Sequence, residues 1–243
     1  MLIKGFMKSS LLEWEGMLSS VLFLPRCNLR CRYCHAGDLV LHPDRLDTIP
    51  FAAVERHLRE NAGWIDGVAI TGGEPTLHGE ELLELCGKLK DLSVQVMVET
   101  NGTRPEWVGR LLEGRLVDAM SMDVKAPLSP EAYARVAGRE VDVDDLRRSI
   151  DLIGAADLTY YEFRTTLVPG LVGPAELESI LSALEGSRRI ALQNFRPTDC
   201  LDPELHSVEP FSPEQMDELG EQAAPYCEEV VVRGRDHALT ERT

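Results

Sequence analysis

Residues 17–37 read MLSSVLFLPRCNLRCRYCHAG. The first eight, Met17–Leu24, are apolar or small up to Pro25 and predict a β-strand. Three cysteines then fall within eight residues, at Cys27, Cys31 and Cys34, spaced C-x3-C-x2-C. A strand that empties into a thiol-rich loop matches the place where βα loops build active sites.

Downstream the strand signal recurs. Asp66–Thr71, Ser93–Glu99, Val117–Asp123, Tyr161–Val168 and Arg189–Phe195 are further strand candidates, with Val94, Val96 and Val98 alternating at period two. Helical stripes separate them. Leu82, Leu85, Cys86 and Leu89 share one face. Leu146, Ile150 and Ile153 share another, after the acidic start Asp142, Asp144 and Asp145. Leu177, Ile180, Leu181 and Leu184 follow Pro174, and Gly63, Gly87 or Gly114, and Gly186 serve as stop signals. Six strand–helix units predict an α/β fold with a mostly parallel sheet and helices outside. Six is short of the eight units of a closed barrel, so the expectation is a partial open (β/α)6 barrel, with a doubly wound sheet as the alternative. The chain reads as a single domain over 1–243. Residues 1–16 form an N-terminal extension, 17–195 the barrel core and 196–243 a C-terminal extension. The polar stretch 196–213 is an ordered loop.

Composition narrows the function. The chain has 243 residues, 44% of them hydrophobic and 27% charged, with a net charge of −16. That acidity opposes general binding to nucleic acid or anionic membranes. No apolar run approaches the roughly 18 residues of a membrane span, and Met1–Gly16 lacks the apolar core of a signal peptide. The protein reads as cytoplasmic, and in a reducing compartment the packed cysteines read as metal ligands.

Three thiolates can hold three irons of a four-iron cluster, and no fourth cysteine lies nearby, so one iron is left open to a chelating ligand. The alternative is zinc, which wants four ligands. His35 directly follows Cys34, where two adjacent residues seldom share one tetrahedral ion, and no second C-x2-C exists. The second signal is TGGEP, Thr71–Pro75, at a strand end. Its glycines would let a ligand approach the backbone, and Glu74 at the rim would meet an ammonium group, the bland reading being a tight turn. Third, Glu99, Asp123 and Lys125 end successive strands, where polar side chains converge on one barrel face. Asp123 suits ribose hydroxyls and Lys125 a carboxylate, or both form a structural ion pair. Arg164, inside a strand, needs an anion, which is a ligand carboxylate or Glu74. Cys86 belongs to a core helix face, Cys200 and Cys227 read as ordinary thiols, and His42, His57, His78, His206 and His237 show no metal spacing.

C-x3-C-x-aromatic-C followed by GGEP resembles the radical S-adenosylmethionine superfamily. The resemblance implies a [4Fe–4S] cluster on Cys27, Cys31 and Cys34, with the methionyl amine and carboxylate of S-adenosylmethionine on its open iron. It implies cofactor contacts from Tyr33 beside adenine, Gly72, Gly73 and Glu74 on the amino group, Asn101 of ETNG, Asp123, Lys125 and Arg164. Reductive cleavage would give a 5′-deoxyadenosyl radical. GFMKSSLLEWEG, CHAGDLV, ETNG, MDVKAP, TTLVPGL and NFRPTDCLDP are similar to glycyl-radical-enzyme activating proteins, above all the type serving anaerobic ribonucleotide reductase. That implies a glycyl-radical enzyme as protein substrate and a flavodoxin- or ferredoxin-type electron donor. Three residues depart from the pattern: Arg26 stands where glycine is usual, Ala36 where asparagine is usual and Glu15 where proline is usual. A small-molecule enzyme such as 7-carboxy-7-deazaguanine synthase is the rival, and His35–Ala36 opposes its Asp–Thr preference. A non-catalytic metal-stabilised binding module is the third reading, and the polar strand ends oppose it.

Overall fold

The computed structural model describes residues 2–234, so His237 lies outside the described residues. Its strands are β1 (Gly5–Ser10), β2 (Ser19–Leu24), β3 (Gly67–Gly72), β4 (Gln95–Thr100), β5 (Ala119–Asp123), β6 (Tyr160–Leu167), β7 (Ser187–Asn194) and β8 (Cys227–Arg233). All eight lie in one sheet in chain order. The pairs β2–β3, β3–β4, β6–β7 and β7–β8 are parallel, while β1 runs antiparallel to β2. Helices α1 (Gly37–Leu41), α2 (Phe51–Glu60), α3 (Glu80–Lys90), α4 (Pro105–Glu113), α5 (Pro130–Ala137), α6 (Val143–Gly154), α7 (Pro174–Ala183) and α8 (Pro213–Ala223) fill the connections. Among the described residues no helix is long and apolar enough to cross a membrane.

The six expected strands are present within two residues of their predicted ends. β1 and β8 are additions, in the stretches expected to be extensions. Both are partly exposed edge strands, so their alternation carries little apolar contrast. Of the proposed stops, Gly63 and Gly186 take φ +83 and Gly114 caps α4. Gly87 does not stop its helix. α3 runs through it to Lys90, held by the buried stripe Leu82, Leu85, Cys86 and Leu89, whose burial outweighs the roughly 1 kcal/mol propensity cost of an internal glycine.

By contacts the chain divides into two compact units. The first comprises residues through Asn28, Ala36–Ser121 and Arg148–Tyr161. Its core gathers Trp14, Val21, Ala69, Met97 and Ala119. Trp14 explains the apolar N-terminal motif, because its ring lies where a side chain on Gly67 would stand, 2.8 Å from an added Cβ. In-register pairing of Leu24 with Gly72 brings the end of β2 beside the end of β3, so the first cysteine and the glycine turn leave adjacent strand ends. The second unit comprises Leu29–His35, Met122–Arg147 and the residues from Glu162 on. There β6, β7 and β8 pair in parallel, with Arg164 opposite Ala191 and Ala191 opposite Val231.

Candidate active site

The first unit carries Cys27 and the glycine turn. The chain leaves β2 through Pro25 and turns at Arg26, which takes a left-handed φ of +66. Three bonds fix the bend: Arg26 N–H donates to Leu39 O at 2.8 Å, Gly73 N–H to Leu24 O at 2.8 Å and Glu74 N–H to Arg26 O at 2.8 Å. His78 Nε2 meets Pro25 O at 2.9 Å. The absence of side chains at the two glycines makes room first for the chain's own backbone. A Cβ on Gly73 would lie 1.7 Å from Arg26 O, and one on Gly72, whose φ is +118, would lie 2.4 Å from Leu24 O. What comes close at these positions is the backbone leading into the cysteine loop.

Glu74 is likewise placed differently from its predicted rim position. It is 1% exposed. Its Oε1 accepts from Thr76 N, Thr76 Oγ1 and Thr100 Oγ1 at 3.0, 2.6 and 2.7 Å, and its Oε2 accepts from Asn101 N at 2.7 Å. Burial pushes its carboxyl above the usual range against the pull of these four bonds. Glu74 ties the end of β3 to the end of β4. Glu99, also buried, accepts from Thr71 Oγ1 at 2.7 Å. Asn101 follows β4 and directs Nδ2 at Cys27 Sγ, 3.8 Å away, and at Asn28 Oδ1, 2.9 Å away.

The second unit carries Cys31, Tyr33, Cys34, Asp123, Lys125 and Arg164. Cys31 and Tyr33 are buried. Burial raises both groups' pKa, and the nearby Lys125 ammonium opposes the rise. Asp123, ending β5, accepts from Arg164 Nε at 2.6 Å and from Lys125 Nζ at 3.0 Å. Asp123 is thus a partner of Arg164 that the sequence did not suggest. Burial alone would raise the Asp123 carboxyl, but Arg164 and Lys125 hold it well below the usual carboxylate range. Burial pulls Lys125 down, and Asp123 more than reverses this, so Lys125 stays charged. The three groups form a fixed ionised cluster in which Lys125, with three donors, retains capacity for a further acceptor.

Sequence reasoning missed how the cysteine loop is clasped. Arg32 pairs with Asp202 and Glu204, and the backbone bonds Leu201 N–H to Cys34 O and Asp202 N–H to Arg32 O run alongside. His35 Nε2 meets Arg196 O at 2.9 Å and Cys200 Sγ at 3.5 Å. NFRPTDCLDP, quoted only as a motif, is the signal that pointed here. Cys86 is core as expected, its thiol pushed up to about 12 by burial. His57 Nε2 meets Lys8 O and His206 Nε2 meets Cys200 O.

None of the six cysteines is in a disulfide among the described residues. Among the described residues no group of three or more His, Cys, Asp or Glu is gathered as around one ion. The donor chemistry fits an iron–sulfur cluster: three unbridged thiols on one loop, with an amide N–H directed at the first.

The Radical SAM superfamily model matches residues 21–182. The chain belongs to that superfamily, whose members use a [4Fe–4S] cluster and S-adenosylmethionine. It is 30% identical over 236 residues to a Methanocaldococcus jannaschii protein provisionally named a glycyl-radical enzyme activating enzyme, covering 96% of this chain and 95% of that one. It is 29% identical over 136 residues to 7-carboxy-7-deazaguanine synthase of Thermococcus kodakarensis, covering 48% of this chain and 53% of that one. Among solved structures, Streptococcus suis SuiB bound to S-adenosylmethionine matches with TM-score 0.66 at 16% identity, over 88% of this chain and 52% of that one. A domain of pyruvate-formate lyase-activating enzyme from Bacteroides vulgatus matches with TM-score 0.55 at 18% identity, over 69% of this chain and 99% of that one. These structures share the expected fold, a partial (β/α) barrel with a mostly parallel sheet.

Proposed function

We propose that this radical S-adenosylmethionine enzyme is an activase that installs a glycyl radical on a partner enzyme. The observation that carries the reading is the end-to-end similarity to the M. jannaschii protein, whereas the deazaguanine synthase similarity stops at about half of each chain. When bound, the cluster and S-adenosylmethionine supply an organic radical able to take one hydrogen atom from a C–H bond. Cys27, Cys31 and Cys34 would hold the cluster as thiolates. Lys125 would offer its spare donors to the cofactor's carboxylate, and Asp123, kept ionised by Arg164 and Lys125, would accept from ribose hydroxyls. Tyr33 would pack against the adenine. The hydrogen removed is the Cα–H of one glycine, which leaves the partner with an unpaired electron on that carbon and yields 5′-deoxyadenosine. A flavodoxin- or ferredoxin-type protein would supply the electron.

The test mixes the reduced, cluster-loaded protein with S-adenosylmethionine and an anaerobic ribonucleotide reductase of the same organism, without oxygen. A doublet in the electron paramagnetic resonance spectrum, lost when the partner's radical glycine is changed to alanine, is the expected result. Consumption of the radical by a small molecule, with no glycyl-radical enzyme activated, refutes the activase reading.

A further inference from the structure

We infer that Asn101 donates an N–H···S hydrogen bond to Cys27 and thereby raises the reduction potential of the cluster that Cys27 helps to hold. The inference rests on the proposed ligand role of Cys27 and deepens it.

The orientation of the Asn101 amide is fixed by its surroundings. Thr103 N–H can only donate, and it lies 3.0 Å from Oδ1, as Thr103 Oγ1 does at 2.6 Å. That end of the amide is therefore the oxygen, and the other end carries two hydrogens. One lies toward Asn28 Oδ1 at 2.9 Å and the other toward Cys27 Sγ at 3.8 Å. Asn28 closes the ring by donating from Nδ2 to Thr103 Oγ1 at 2.7 Å. The main chain is held as firmly: Asn101 N–H donates to buried Glu74, Gly102 N–H to Thr100 Oγ1 at 3.1 Å, and Ser149 Oγ to Gly102 O at 2.7 Å. Asn101 is itself 4% exposed and its bond to Cys27 is part-buried, which limits the competition of water for its hydrogens.

A donor on a ligand sulfur withdraws electron density from the iron–thiolate bond. The extra negative charge of the reduced cluster is then better tolerated, and the potential rises. The buried carboxylate of Glu74 gains a purpose in this arrangement: by fixing the Asn101 backbone it sets the height at which the amide meets the sulfur. In this role Asn101 is a tuning residue that acts through Cys27.

The experiment is a redox titration of the anaerobically reconstituted full chain, followed by electron paramagnetic resonance, with iron content measured in parallel. Asn101→Ala removes the donor. Asn101→Ser also removes it, while its hydroxyl keeps an acceptor for the Thr103 N–H turn. Thr103→Val disturbs the same loop but leaves both amide hydrogens. The expected result is full iron in all three, with the oxidised-to-reduced ratio at a set potential increased about tenfold in both Asn101 variants, a shift of roughly 59 mV to lower potential, and unchanged in Thr103→Val. Unchanged potentials in iron-replete Asn101 variants overturn the inference. Loss of iron from both Asn101 variants, beside an iron-replete wild type, also overturns it, because the residue then only builds the loop. A wild type that binds no iron refutes the ligand reading itself.

Discussion

Replacing Arg26 by glycine is expected to make the protein more stable. Arg26 sits at φ +66, a region that costs an L-residue about 1–2 kcal/mol. The bend cannot relax, because Arg26 N–H is bonded to Leu39 O and its carbonyl accepts from Glu74 N, both at 2.8 Å. Its side chain is exposed and makes no hydrogen bond or ion pair among the described residues, so little is lost with it. Glycine returns part of the gain through its greater freedom in the unfolded chain, about 0.5–1 kcal/mol. The net is a stabilisation of about 0.5–1 kcal/mol, or roughly 1–4 °C in Tm for a chain of this size. Arg26→Ala, which keeps the left-handed cost without the guanidinium, should stay within about 0.5 kcal/mol of the wild type. Urea unfolding of the full chain under anaerobic conditions measures all three, and an unchanged m-value confirms that the midpoints report stability. If the glycine variant is no more stable than the alanine variant, the strain assigned to this bend is absent. The same measurement addresses the departure from the family pattern, since glycine is the residue usual at this place.

Gly73→Ala should prevent the cysteine loop from forming, because its Cβ would lie 1.7 Å from Arg26 O; iron content after anaerobic reconstitution should fall far below that of the wild type, and normal loading would show that the loop gives way easily. Glu74→Gln turns one acceptor oxygen into a donor facing groups that already donate to it, so it should destabilise the chain by on the order of 1–3 kcal/mol; an unchanged urea midpoint would contradict the bracing role. Lys125→Ala should weaken S-adenosylmethionine binding by about tenfold to a hundredfold, the value of one charge-assisted hydrogen bond, while leaving Asp123 paired with Arg164. Asp123→Ala should weaken binding similarly and also lower stability, since it removes a buried carboxylate bonded to both Arg164 and Lys125; equilibrium binding to the cluster-loaded protein checks both variants, and wild-type affinity in both would remove these residues from the cofactor site.

The residues that mark strand ends were legible in the sequence, while the partners they meet were not. Period two places Arg164 on a face of β6, yet nothing local says that the anion on the neighbouring strand is Asp123 at 2.6 Å. TGGEP announces two glycines and an acid after a strand. Only the in-register pairing of β2 with β3 shows that the approaching group is the chain's own backbone at Leu24 and Arg26. An acid after a strand suits an ammonium group at the rim, whereas the burial of Glu74 depends on Thr76, Thr100 and Asn101 N converging on it. The stripe of α3 was legible because four apolar side chains vote together, and for the same reason it outweighed Gly87.

These differences share one physical cause, and it bears on how the cysteine loop works. The loop buries Leu29, Cys31 and Tyr33, but as it must also present thiols to a cluster, much of its shape comes from polar bonds to other segments. Leu39, Gly73, Glu74 and Asn101 hold its start in the first unit, and Leu201, Asp202 and Arg196 hold its end in the second. Such bonds leave almost no periodic trace in a sequence, because one backbone amide or one asparagine suffices for each. Residues such as Asn101 and Arg32 therefore look like ordinary loop polars until their partners are seen, although they hold the two ends of the loop that carries the thiols.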